Sequence, residues 1–133
     1  MNEVVEGLAR LEAVVRERGA AAYVMTASTD GRPHVTYAPV HWVGKGLVAE
    51  IGSRTALNAA ANPSVTVLFP VRSPDDYSLI VDGSAAVEVD RHRLVLTPTR
   101  AVLHRPGAPA DPASSCTADC VPLFTPPVGA RIS

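Results

Sequence analysis

Ser53, Arg54 and Thr55 form a polar triplet that follows a strand-like apolar run and opens a short helix-forming stretch. A helix that begins directly after a buried strand presents unpaired backbone N–H groups and the positive end of its dipole. The two hydroxyls and a guanidinium, which can bind phosphate oxygens bidentately, add to this attraction. The triplet therefore predicts a phosphate site. The alternative is an ordinary helix with Ser53 as its N-cap and a solvated arginine.

The segment before the triplet predicts two strands joined by a tight turn. Residues 34–43 alternate two sets of side chains that are both partly apolar, so we expect this strand to be buried on both faces. Gly44-Lys45-Gly46 supplies the permissive backbone of a hairpin turn, and residues 47–51 return beside the first strand. The helix that follows ends at Asn62-Pro63 after about two turns.

The rest of the chain predicts one helix and four more strands. The helix covers residues 2–18, and the strands cover residues 21–28, 64–69, 77–90 and 93–104. We expect a bulge or a close backbone approach at Gly83, and a bend at Thr97-Pro98. The domain comprises residues 1–105, and residues 106–133 form its Pro-rich, irregular C-terminal tail.

Five short motifs occur along the chain in a recognisable order and spacing. They are Asp30-Gly31-Arg32-Pro33, Pro39-Val40, Ser53-Arg54-Thr55, Asn62-Pro63 and Gly83-Ser84-Ala85. In this order the chain resembles the pyridoxamine 5'-phosphate oxidase-like split-barrel family, which includes flavin- and deazaflavin-dependent oxidoreductases. The resemblance implies a mainly β fold, a six-stranded split β-barrel with an N-terminal helix and a short helix after the third strand. Thr55 replaces the lysine usual after Ser-Arg, which weakens the phosphate contact.

The resemblance also implies a function: a flavin-binding oxidoreductase that transfers a hydride or electrons between reduced FMN and a small organic substrate at a homodimer interface. The ring carries the hydride, so no catalytic side chain is required. The cofactor-binding residues that it implies are His34, Val35, Thr36, Ser53, Arg54, Thr55 and Asn58. The alternatives are an F420-dependent reductase, a dimeric barrel that binds flavin or haem without turnover, and a dimeric barrel with a vestigial site. Because lysine is nearly absent and the N-terminal helix starts acidic, a poly-glutamyl F420 tail is less favoured than FMN.

Composition limits the other classes of function. The formal charge of −1 lacks the basic excess typical of nucleic-acid-binding domains, so we expect no nucleic-acid partner. No apolar run reaches the ~18 residues that span a bilayer, so we expect a soluble, cytoplasmic protein without membrane contact. The chain carries no motif for acyl transfer, nucleotide hydrolysis or zincin chemistry.

Histidine and cysteine spacing gives no metal site. The four histidines have no metal-ligand spacing, and a structural role is the default for each. Cys116 and Cys120 are predicted to be free thiols that take no part in cofactor binding, with a redox pair or an intersubunit metal contact as the alternatives.

Overall fold

A computed structural model describes residues 3–106 and 118–124 of the chain. Two α-helices and seven β-strands make up this part. They are α1 (Glu3–Arg18), β1 (Ala21–Ala27), β2 (Pro33–Val43), β3 (Gly46–Glu50), α2 (Ser53–Ala61), β4 (Ser64–Phe69), β5 (Ser78–Glu88), β6 (Arg93–Pro106) and β7 (Ala118–Phe124), with a 3-10 turn at Val89–Arg91 between β5 and β6.

Strands β1 to β6 close into an antiparallel barrel. Their order is β3-β2-β1-β4-β5-β6, and β3 pairs back onto β6, with Leu47 opposite Leu96. Since alternate side chains of a barrel strand point inward, aliphatic residues such as Val24, Val67 and Val81 are fully buried in its interior. The predicted six-stranded barrel, with an N-terminal helix and a short helix after the third strand, is confirmed.

A bulge between β5 and β6 curves the barrel. Asp82 pairs with Arg100 whereas Gly83 pairs with Pro98, so the register shifts between these two residues of β5. A Cβ atom on Gly83 would lie 2.4 Å from the Thr97 carbonyl oxygen, which leaves room only for glycine. The predicted irregularity at Gly83 is therefore confirmed, and β6 continues as one strand through Thr97-Pro98, where the register shifts.

Helix α1 packs on the barrel through its apolar stripe. Leu11 and Val15 are buried in the core, and the Arg10 guanidinium donates to the Leu123 carbonyl oxygen of β7 at 3.2 Å. Within residues 3–106 and 118–124, neither helix combines the length and the apolar character that a membrane crossing needs.

The expectation that the strand at residues 34–43 is buried on both faces is wrong. Ala38 and Val40 of β2 point into the core, whereas Val35 and Tyr37 on the other face are 52% and 59% exposed. Apolar residues occur on both faces of this strand, but an apolar face is not necessarily covered by another part of the same chain. The outer face of β2 thus presents apolar side chains to solvent.

The C-terminal region holds one more strand than expected. The sequence predicts that residues 118–124 are irregular, but they form β7, which pairs with the C-terminal half of β6. Cys120 lies opposite His104. Pro122 is tolerated because β7 is the edge strand of the sheet, and Leu123 is buried against the core. Cys120 is an exposed free thiol, while Cys116 lies outside the described residues, so the prediction for the cysteine pair is not tested.

Candidate functional site

The first turn of α2 leaves its backbone donors available. Gly52 precedes the helix in an extended conformation, and the first helical hydrogen bond runs from the Ala56 amide to the Gly52 carbonyl at 3.0 Å. The helix begins at Ser53, so the expectation that Ser53 is the N-cap is wrong, and no side chain caps this end. The first turn holds no acidic residue. The positive end of the α2 dipole is therefore not neutralised locally, which favours an anion there.

The β1–β2 turn lies beside this helix end and is held by its own hydrogen bonds. Gly31 has φ +84°, a left-handed conformation that glycine adopts without strain. The Ser28 hydroxyl oxygen accepts from the Arg32 amide at 3.1 Å, and the Ser28 amide donates to the Arg32 carbonyl at 3.0 Å. The same hydroxyl donates to the Asp30 carboxylate and lowers the pKa of Asp30 below its ordinary value. Asp30 is thus ionised at neutral pH.

A cleft of about 650 Å³ lies between the β1–β2 turn and the start of α2, and we call it the turn–helix cleft. Its volume is within the range of small-molecule sites in proteins. The residues that line it are Ser28, Asp30, Arg32, Pro33, His34, Arg54 and Asn58.

Three of the seven predicted cofactor-binding residues come together in this cleft. His34 is half-buried on the inward face of β2, and Arg54 is an exposed residue at the start of α2. Asn58 is only 6% exposed, and its side-chain amide donates to the Thr26 hydroxyl of β1 at 3.2 Å. This bond holds α2 against the barrel and so fixes the position from which Arg54 projects.

The other four predicted residues do not line the cleft. Ser53 is exposed at the first position of α2, and Thr55 is 2% exposed. Val35 faces outward from β2, and Thr36 is half-buried opposite Val24 of β1. Their roles as cofactor contacts stay predictions, although the buried Thr55 side chain is poorly placed to supply a donor from within the cleft.

Arg32 is not among the predicted cofactor-binding residues, because its sequence context indicates only a turn. Arg32 lines the same cleft as Arg54. Neither guanidinium makes a hydrogen bond or an ion pair with residues 3–106 and 118–124, whereas every other arginine in those ranges does. The partnered arginines are Arg10, Arg16, Arg18, Arg72, Arg91, Arg93, Arg100 and Arg105. The signal in the sequence was a cation two residues before His34, at the mouth of the predicted strand pair.

An exposed apolar surface, the outer β1–β2 face, adjoins the cleft. It comprises Tyr23, Val35 and Tyr37. Tyr23 and Tyr37 are directly paired across the two strands, and their ring centroids are 4.8 Å apart. Because neighbouring residues of a strand point to opposite sides, Val35 lies on this face while the adjacent His34 lies in the cleft.

Comparison with known sequences gives relatives that carry no assigned function. The chain matches no protein-family model. An uncharacterized protein of Mycobacterium bovis and one of Mycobacterium tuberculosis are each 43% identical to it over 86 residues, which cover 59% of this chain and 61% of each relative. The chain thus spans about three fifths of the length of these curated relatives.

Comparison with solved structures identifies the fold. A Listeria innocua protein, provisionally named a pyridoxamine 5'-phosphate oxidase, has a TM-score of 0.60 at 17% identity, covering 72% of this chain and 96% of its own. A heme binding protein of Mycobacterium smegmatis gives 0.57 at 13%, covering 92% and 59%. An F420 reductase gives 0.52 at 22%, covering 66% and 93%. The chain has the split-barrel fold of the pyridoxamine 5'-phosphate oxidase-like proteins, and the resemblance in the sequence motifs is confirmed at this level.

Proposed function

We propose that the protein binds FMN in the turn–helix cleft and acts as a flavin-dependent oxidoreductase on a small organic substrate. The observation that carries this proposal is the unpaired Arg54 guanidinium at a helix start that has neither a side-chain cap nor an acidic residue. A phosphate monoester fits this donor set, because backbone N–H groups and a guanidinium both bind its oxygens. Bound FMN would supply the hydride chemistry, which the protein's own side chains do not provide.

The chain's residues would bind and orient the cofactor. Arg54 and the amides of the first α2 turn would hold the phosphate, while His34 and the neighbouring backbone at Val35 and Thr36 would meet the polar edge of the ring. Asn58 keeps α2 in register with β1 through its bond to Thr26, so it would position Arg54. Loss of that bond would displace the phosphate contact, which depends on geometry within about 0.5 Å.

A second copy of the chain would complete the pocket. The outer β1–β2 face exposes two tyrosines and a valine next to the cleft, and apolar surface of this kind is typical of subunit contacts. A two-fold partner seated there would cover these side chains, and it would border the cleft where Val35 adjoins His34. We expect sedimentation at micromolar concentration to show twice the chain mass of 13.9 kDa. A clean monomer would contradict the shared pocket.

Two other ligands compete with FMN in this proposal. The deazaflavin F420 would place a chain of carboxylates near the ionised Asp30, whose charge would repel them. Haem would need an axial ligand, and the half-buried imidazole of His34 is the candidate in the cleft. The fold likeness to a heme binding protein, which covers 92% of this chain, keeps haem as the second candidate.

The absorbance spectrum of the protein, as purified and after reconstitution, tests these choices. We expect flavin bands that persist through gel filtration after incubation with FMN. A Soret band after incubation with hemin, lost in His34→Ala, would favour haem instead. Retention of F420 alone would identify a deazaflavin protein, and retention of none of the three would contradict a cofactor role for the cleft. Turnover of a reductant by the FMN form would then separate an enzyme from a carrier.

A further inference from the structure

We infer that Arg32 is a second cation of the anion site, so that Arg32 and Arg54 together form a two-arginine clamp for a phosphate group. The inference rests on the proposed function for the identity of the natural ligand. It concerns a residue that lies outside the helix and comes from a different element, the turn between β1 and β2.

The absence of protein partners is the first support. Arginine side chains of the described ranges are otherwise engaged, either by carboxylates or by backbone carbonyls. The two that are not engaged line one cleft, although they are 22 positions apart in the sequence. Two guanidinium groups without an ion-pair partner in one cleft favour an anion that binds to both.

The rigidity of the turn is the second support. The Arg32 amide and carbonyl are both bonded to Ser28, and Pro33 restricts the Arg32 backbone to extended conformations. The base of the Arg32 side chain is therefore fixed with respect to β1. Since Asn58 fixes α2 to the same strand through Thr26, both arginines project from elements anchored on β1. Because the backbone positions of both arginines are fixed, less conformational entropy is lost when their side chains bind one ligand.

Asp30 sets the charge that the clamp accepts. It lines the cleft and is ionised, but its carboxylate is bonded to the Ser28 hydroxyl and forms no ion pair with either arginine. Two positive charges opposite one negative charge favour a compact anion such as a phosphate monoester. A long polycarboxylate tail would be repelled by the negative charge of Asp30.

Calorimetric titration of the full chain with inorganic pyrophosphate, at low ionic strength, tests the clamp without a flavin. We expect Arg32→Ala to weaken binding roughly three- to tenfold, as for an exposed charge-assisted contact, and Arg32→Lys to restore part of the loss. Arg16→Ala is the matched control, because Arg16 is an exposed arginine paired with Glu12 on α1, and it should leave the affinity unchanged. Equal affinities of the wild type and Arg32→Ala would overturn the clamp, as would no binding of pyrophosphate to the wild type.

Parallel titrations with FMN and riboflavin separate this inference from the proposed function. Riboflavin lacks the phosphate, so Arg32→Ala should lower the affinity for FMN severalfold and leave the affinity for riboflavin unchanged. If pyrophosphate binds through Arg32 but no flavin binds to the wild type, the flavin proposal fails and the anion clamp stands. If FMN binds but its affinity does not change in Arg32→Ala, the clamp is overturned and the flavin proposal stands.

Discussion

Two arginine-rich regions lie at opposite ends of β1, and they use the same side chain differently. The turn–helix cleft holds two guanidinium groups that form no hydrogen bond or ion pair with the described residues. The other region, which we call the anchoring cluster, lies near the start of β1 and joins α1, the β4–β5 loop, β6 and β7. Its members are Arg18, Arg72, Asp76, Tyr77, Arg105 and Asp119.

Every arginine of the anchoring cluster has at least one hydrogen-bond partner in the described part of the chain. Arg18, whose side chain is 4% exposed, donates to the Tyr77 carbonyl and lies 3.4 Å from Asp76. Arg105 pairs with Asp119 at 3.1 Å and stacks over the Tyr77 ring at 4.5 Å. Burial lowers the pKa of Arg18, and hydrogen bonds from Arg72 lower the pKa of Asp76. The comparison indicates that paired arginines here fix the fold, whereas unpaired arginines are available for a ligand.

Arg18→Met should give the largest effect and should act on stability alone. It removes a buried guanidinium that satisfies the Tyr77 carbonyl and one side of Asp76. We expect the free energy of unfolding to fall by about 2 to 4 kcal/mol in a urea titration. Arg16→Met, two residues earlier on the exposed side of α1, should change it by less than about 0.5 kcal/mol. An unchanged stability in Arg18→Met would break the distinction between the two regions.

Arg54→Ala should lower the affinity for FMN and leave the stability unchanged. We expect the affinity for FMN to fall roughly ten- to a hundredfold, which corresponds to about 1.4 to 2.8 kcal/mol, because the main phosphate contact is lost. Unfolding should be unaffected, since the exposed side chain forms no hydrogen bond or ion pair with the described residues. Quenching of FMN fluorescence measures the affinity, and Arg91→Ala, an exposed arginine outside the cleft, is the control. Equal affinities of Arg54→Ala and the wild type would place the phosphate elsewhere.

Asn58→Ala should lower both the stability and the affinity for FMN, because Asn58 lines the cleft and also bonds α2 to β1. Its loss leaves the buried Thr26 hydroxyl without its hydrogen-bond donor. We expect about 1 to 2 kcal/mol of lost stability, together with weaker FMN binding. The double variant Thr26→Val, Asn58→Ala should recover part of the stability but not the affinity, because α2 stays detached from β1. A stability unaltered in Asn58→Ala would show that the bond does not anchor the helix.

The pH dependence of stability should give the smallest effect and should follow the anchoring cluster. The hydrogen bond to Asp119 raises the pKa of Tyr77 above 10.0, so its contribution is complete below pH 10 and is lost as the pH rises through the folded-state pKa. The same bond, with Arg105, lowers the pKa of Asp119, whose contribution is present above pH 3.8 and is lost as the pH falls through its folded-state value.

Thermal unfolding between pH 7 and pH 11 measures the alkaline loss. Tyr77→Phe should flatten the profile above pH 10, while Arg54→Ala should keep the wild-type shape. Identical profiles for Tyr77→Phe and the wild type would show that the Tyr77–Asp119 bond is not formed in solution.

Much of the barrel could be predicted from sequence because its signals are local. The glycine turns, the Asn62-Pro63 stop and the alternation along each strand placed the six barrel strands within a few residues of their observed bounds. Strand β7 could not be predicted in this way. Its partner is β6, so its hydrogen bonds depend on a tertiary register and not on its Pro-containing sequence.

The candidate site was predictable where it follows a local signal and not where it depends on spatial proximity. Arg54 could be chosen because it opens a helix, and the resemblance to a family supplied His34 and Asn58. Arg32 was missed because nothing in a turn sequence shows that it faces a helix 22 residues later. Thr55 was chosen for its hydroxyl, but the helical period turns its side chain into the core.

The position of the flavin phosphate in a crystal of the FMN complex tests the central claim most directly. We predict phosphate oxygens within about 3 Å of the Arg54 guanidinium and of the first α2 amides, with Arg32 on the opposite side of the phosphate. Crystals of the riboflavin complex should show a bound inorganic anion at the same place when phosphate is present. A flavin whose phosphate lies outside the turn–helix cleft, with Arg54 still in solvent, would contradict the claim.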